Sequence, residues 1–115
     1  MRATIYHNPK CSTSRKVLDL LRDSGVETTI VEYLKAPPAR AELERMIAAI
    51  GKGARGALRK RGTPYEDLGL DDPKWTDAQL IGFMLEHPIL IERPIVVTAK
   101  GVRLGRPVES VREVL

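Results

Sequence analysis

The sequence predicts an α/β fold in which a mixed four-stranded sheet is built from a β-α-β unit and a β-β-α unit, with a helical insertion over about residues 38–87. Two observations carry that prediction. Short β-type runs open and close the chain, whereas the middle shows apolar residues three and four apart, the spacing of helices. The order strand, helix, strand at the start implies a parallel pair with a right-handed crossover, and two short runs joined by a glycine-containing turn near the end imply a hairpin.

Ala3 to His7 (ATIYH) reads as the first strand, and the Asn8-Pro9 step after it as a turn. From Ser12 onward Val17, Leu18 and Leu21 mark one apolar helix face, with Gly25 as a suitable stop. Thr28 to Leu34 (TTIVEYL) is the second strand, ended by Pro37 and Pro38. The next helix carries Leu43, Met46, Ile47 and Ile50 on one stripe before Gly51. A further helical piece is expected over Ala54 to Lys60, then a turn near Gly62 to Pro64. Thr76 and Gln79 have the spacing of a capping box ahead of Leu80, Ile81, Met84 and Leu85, and Pro88 ends that helix. IVVT and VRL are strands joined through Ala99-Lys100-Gly101, and Pro107 can open a final helix with Val108, Val111, Val114 and Leu115 as its apolar face. This order is the thioredoxin-like plan, a sheet with helices on both faces, and 115 residues suffice for one such domain.

With 43% hydrophobic and 30% charged residues the chain falls in the ordinary globular range. Its apolar runs, such as Ile95 to Val97, fall far below the roughly 18 residues a membrane helix needs, and MRATIYHNP lacks the apolar core of a secretory signal. A soluble cytoplasmic protein without a membrane partner is expected. One cysteine cannot form an internal disulfide, and an unpaired thiol is easiest to keep in a reducing compartment. Any redox chemistry at Cys11 therefore needs a resolving thiol from another molecule. Cys11 with His7 and His87 cannot make a structural zinc set, and no phosphate-loop motif for a nucleotide is present, so neither a metal nor a bound cofactor is expected.

The net charge is +4, and Lys52 to Arg61 (KGARGALRKR) holds five basic residues and no acid. Such a run is either a solvated helix face or an anion site. Five aromatic residues and no RNA-binding signature argue against nucleic acid as the anion.

The segment Tyr6 to Arg15 (YHNPKCSTSR) places Cys11 where a strand gives way to a helix. Unpaired N–H groups and the positive end of the helix dipole there lower a thiol pKa, and the same N–H groups can cradle a tetrahedral oxyanion. Ser12, Thr13 and Ser14 add hydroxyls; Lys10 and Arg15 add charge. The plain alternative is that the hydroxyls cap the helix and Cys11 packs as a small hydrophobe, but a polar helix start is the setting of low-pKa cysteines. His7 either supports the thiolate or is satisfied by backbone. Three arginines can meet this loop: Arg59 in the basic run, Arg93 before Pro94, and Arg106 before Pro107. In a thioredoxin-like fold the loop before the third strand carries a cis proline beside the active site, and Arg93-Pro94 occupies that place. The planar fork of arginine suits a tetrahedral oxyanion, although each arginine taken singly is more often a surface residue.

Four blocks, YHNPKCSTSR, ALRKRGTPYEDLGL from Ala57, LIGFMLEHPILIERPIVV and RLGRP, resemble in order and spacing the arsenate reductase family that works with glutathione and glutaredoxin, ArsC. The resemblance spans nearly the whole chain. It implies a thioredoxin-like fold and reduction of arsenate to arsenite, as in arsenical resistance. Cys11 matches the cysteine that forms a thiol-arsenate adduct, with glutathione as co-substrate and glutaredoxin as the partner that regenerates the thiol. Arg59, Arg93 and Arg106 match the three oxyanion-binding arginines. His7 matches the residue that helps depress the cysteine pKa, and Ser14 the one that hydrogen-bonds near the thiolate. Asn8, Arg15 and Pro94 are expected to support this loop. Independently, a lone cysteine requires an outside thiol, and a thiolate attacking an anion requires cationic donors around it. Two other readings stand beside it: from a different functional class, an Spx-like RNA polymerase-binding regulator, whose Cys-x-x-Cys switch has Ser14 at the second position here, and a glutathione-dependent thiol-disulfide reductase, which needs Cys11 but not three arginines. A monomer is the default state.

Overall fold

In the computed structural model, which describes residues 1–115, the chain divides into two compact units. One comprises Met1–Ala36 with Arg93–Leu115, and the other is Pro37–Glu92.

The first unit holds a four-stranded sheet in the order β2-β1-β3-β4. Strand β1 (Arg2–Tyr6) pairs in parallel with β2 (Glu27–Val31), and Ile5 lies opposite Ile30. On its other side β1 pairs antiparallel with β3 (Ile95–Thr98), with Ile5 opposite Val96. Strand β4 (Gly101–Leu104) completes the hairpin on β3. Helix α1 (Ser12–Asp23) forms the crossover between the parallel strands. Its buried face is Ser14, Val17, Leu18 and Leu21, and the apolar members pack with Ala3, Ile5, Val96, Val111 and Val114 into one core. Fully burying one such aliphatic side chain contributes about 1.5–3 kcal/mol, so this cluster, rather than helix propensity, holds α1 on the sheet. Residue 14 is the polar exception on that face.

Strand β2 is shorter than the TTIVEYL run suggests. It stops at Val31, and the chain turns back at Glu32, whose carbonyl accepts from the N–H groups of Lys35 and Ala36. The C-terminal segment Val108–Val114 is a 3-10 helix, not the α-helix expected. Val108, Val111 and Val114 recur every third residue, which aligns them on one face at three residues per turn.

The second unit is helical. Helix α2 (Arg40–Ile50) buries Leu43, Met46 and Ile47 and ends at Gly51, whose φ of 78° is a left-handed stop that a side chain would strain. Helix α3 covers only Gly53–Gly56, instead of continuing to Lys60. Leu58 forms an antiparallel bridge with Ile91, so backbone groups that would extend the helix pair elsewhere: Arg59 N–H donates to the Leu90 carbonyl and Glu92 N–H to that of Ala57. Helix α4 (Asp77–Glu86) starts with the expected capping box, Thr76 accepting from Gln79 N–H while the Gln79 side chain accepts from Thr76 N–H. Leu80, Ile81 and Met84 are its buried face, and a 3-10 turn follows over Pro88–Leu90. No helix of the chain is long and apolar enough to cross a membrane.

Candidate active site

The loop between β1 and α1 is folded by its own backbone and side chains. Cys11 N–H donates to the Asn8 carbonyl at 3.0 Å, and the Asn8 side-chain oxygen accepts from Lys10 N–H at 3.0 Å. Arg15 reaches back with Nη1 to the Pro9 carbonyl at 2.8 Å, so it clamps the loop. Cys11 is the residue that caps α1, and the Arg15 N–H donates to its carbonyl at 3.0 Å.

Two arginines converge on the sulfur. Arg106 Nη2 lies 3.4 Å from Cys11 Sγ, while its Nε donates to the Arg93 carbonyl at 2.8 Å. The side chain of Arg93, only 8% exposed, also faces the sulfur and favours its thiolate. The peptide bonds Arg93-Pro94 and Arg106-Pro107 are both cis. Burial by itself pushes the Cys11 pKa up, but it is outweighed by the Ser14 N–H, the Arg93 hydrogen bond and the positive charges of Arg106 and Arg93. The net result is a thiol below its ordinary value. Cys11 is partly exposed, so a substrate can reach the thiolate.

Ser14 and His7 sit behind this arrangement. Ser14 is fully buried, and its Oγ lies 2.6 Å from His7 Nδ1 and accepts from Asn8 N–H at 3.1 Å. The hydroxyl thus faces the interior, and Ser14 meets the sulfur through its backbone N–H. Burial holds His7 below the ordinary imidazole value; Glu32 opposes that shift, while Arg22 and Arg15 reinforce it. A neutral imidazole that accepts the Ser14 hydroxyl proton at Nδ1 satisfies both groups, which puts the ring proton on Nε2.

Arg59 belongs to the helical unit. There its Nη1 pairs with Glu92 at 3.1 Å and its Nε donates to the Arg61 carbonyl at 3.0 Å. Other members of the basic run also have local duties: Arg55 donates to the carbonyls of Leu70 and Asp72, and Lys60 lies over the Tyr65 ring. No group of three or more His, Cys, Asp or Glu side chains is placed to hold a metal ion.

One residue of the site had no separate signal in the sequence. Gly105, within RLGRP, donates its N–H to the Pro94 carbonyl at 2.9 Å. A Cβ built on it would lie 2.7 Å from Val17 Cγ2 and 2.8 Å from Pro94 Cγ. Only the density of glycine and proline around the two arginines hinted at so close an approach.

A mixed sheet with a single cysteine at the head of its crossover helix, faced by two guanidinium groups, defines a thioredoxin-like α/β protein with a one-cysteine site. A family model described as the ArsC family matches residues 6–114. An arsenate reductase from Rhizobium meliloti is 57% identical over 115 residues, which cover 100% of this chain and 82% of that protein. One from Escherichia coli K12 is 58% identical over 112 residues, 97% of this chain and 79% of its own length. Among solved structures, an arsenate reductase from Vibrio cholerae superimposes with a TM-score of 0.95 at 43% identity, covering 100% of this chain and 98% of that one. The chain belongs to the ArsC family.

Proposed function

We propose that this protein is an arsenate reductase that converts arsenate to arsenite at Cys11, with glutathione and glutaredoxin as the reductants. The observation that carries the reading is the Cys11 sulfur held between Arg106, Arg93 and the Ser14 N–H. These groups favour the thiolate form of the sulfur and supply positive donors for a tetrahedral anion, which lowers the like-charge barrier to attack. Membership in the ArsC family and two arsenate reductases at 57% and 58% identity support the same reaction.

In the first step the thiolate attacks arsenic, forming an S–As bond and expelling one arsenate oxygen, which leaves as water after protonation. Arsenic is still pentavalent in this adduct. A glutathione thiolate then attacks the Cys11 sulfur. The S–As electron pair leaves with arsenic, so arsenite departs and Cys11 is left in a mixed disulfide with glutathione. Glutaredoxin takes the glutathionyl group by thiol-disulfide exchange and returns the Cys11 thiolate. A chain with one cysteine cannot release arsenite by an internal disulfide, which is why both outside thiols enter the cycle. A single copy of the chain suffices, and the supply of reduced thiol places the reaction in the cytoplasm.

Arg93 and Arg106 act on the anion and on the sulfur together. The sequence resemblance assigns Arg59 to the anion as well. Incubation with arsenate and glutathione, without glutaredoxin, tests the order of steps: Cys11 accumulates as a glutathione mixed disulfide, seen by intact mass, in proportion to arsenite formed. Arsenite released with Cys11 unmodified contradicts it.

A further inference from the structure

Three separate elements bring hydrogen-bond donors to Cys11. Helix α1 presents the Ser14 N–H, the segment before β3 presents Arg93, and the segment after β4 presents Arg106. Gly105 lies among all three. Its missing side chain would meet Val17 of α1 at 2.7 Å and the Pro94 ring at 2.8 and 3.1 Å, and it immediately precedes Arg106. Real Cβ contacts do not occur below 3.0 Å, and neither obstacle yields easily: Val17 is 0% exposed in the core, and the proline ring is rigid. An added methyl therefore moves α1, Arg93-Pro94 or Arg106 itself. Each movement changes the distance between the sulfur, which α1 carries, and an arginine that faces it.

We infer that Gly105 is a positioning residue of the site, the spacer whose lack of a side chain lets α1, Arg93-Pro94 and Arg106 close on Cys11 together. Its part is played through Val17, Pro94 and the adjoining Arg106. Two hydrogen bonds fix the geometry that the glycine permits. Gly105 N–H donates to the Pro94 carbonyl at 2.9 Å and Arg106 Nε to the Arg93 carbonyl at 2.8 Å, so consecutive residues of one segment hold consecutive residues of the other. With Nε anchored, Arg106 has only its outer nitrogens left to offer the sulfur, and Nη2 is the one that arrives, at 3.4 Å. The device deepens the proposed arsenate chemistry and rests on it for its purpose, but the donors converge on the thiolate whatever its substrate.

The test is Gly105→Ala, read by titrating the Cys11 thiolate through its ultraviolet absorbance and by arsenate kinetics on the same preparation. The expected result is a rise of about one pKa unit, the scale of one weakened hydrogen bond to a charged group, with a lower kcat/KM for arsenate. Val17→Ala serves as the control. It loses packing at the same spot but pushes no donor, so it lowers stability and leaves the titration where it was. Should Gly105→Ala not fold, Gly105→Ala with Val17→Ala removes the contact on the helix side and retains the one on Pro94; the thiol pKa is again expected to rise. An unchanged titration in whichever of these variants folds overturns the inference. A raised thiol pKa in a protein that shows no arsenate turnover even as wild type upholds the spacer and overturns the reductase reading, so the two failures are distinguishable.

Discussion

His7 Nδ1 lies 2.6 Å from Ser14 Oγ, the shortest link in a buried chain that continues to the Asn8 N–H. The link joins the end of β1 to the first turn of α1. The Ser14 N–H is placed separately, by the helix backbone that Cys11 caps.

Ser14→Ala deletes the shared hydroxyl and leaves the Asn8 N–H and the His7 ring nitrogen buried without it. Such orphaned groups cost about 1–3 kcal/mol. The expected outcome is that loss in chemical denaturation, with the thiolate titration shifted upward only slightly, because the backbone N–H remains. A large upward shift with unchanged stability would mean that the hydroxyl serves the sulfur directly.

The buried His7 also makes stability depend on pH. Its pKa in the folded protein is depressed by burial below that of the unfolded chain, so the unfolded state binds its proton more readily. The stability is fully present above about pH 6.5, the unfolded imidazole value, and is lost as pH falls through the lower folded value. Denaturation midpoints followed from neutral to mildly acidic pH should fall, and His7→Asn, which keeps an acceptor near the Nδ1 position, should flatten the curve. Equal slopes for the two proteins would contradict the neutral assignment.

On the proposed mechanism, Arg93→Ala removes both a thiolate donor and an oxyanion donor. Arsenate turnover is expected to drop by about 10²-fold or more, the scale of losing one preorganised donor. Thiol-disulfide exchange with a glutathionylated peptide, which offers no oxyanion, should fall far less. Unchanged arsenate reduction would remove Arg93 from the anion site.

In the helical unit, Thr76→Ala breaks the capping box at the start of α4 and should cost about 1 kcal/mol. Thermal or denaturant unfolding measures it. The Cys11 titration should not change.

Much of this molecule was legible in its sequence because one-dimensional signals happened to coincide with three-dimensional constraints. The spacing of Val17, Leu18 and Leu21, the stop at Gly51 and the Thr76-Gln79 box each describe a local physical event, and each is found in the structure. The errors arose where partners lie far away in sequence. Nothing local announces that Leu58 will bridge to Ile91 and cut α3 short, and a three-residue valine spacing fits an α-helix face almost as well as a 3-10 one. The same holds for the site. Cys11 at a helix start and Arg93 before a proline were readable, and the convergence of Arg106 on Cys11 is seen from residues 95 apart. The inward turn of the Ser14 hydroxyl and the close approach at Gly105 depend on packing that no spacing encodes.

The most direct test of the reductase reading is NADPH consumption in a mixture of this protein, glutathione, glutaredoxin and glutathione reductase, with and without arsenate. Wild type is expected to give an arsenate-dependent rate that Cys11→Ser abolishes. An absent arsenate-dependent rate, or a Cys11→Ser protein as fast as wild type, would contradict it.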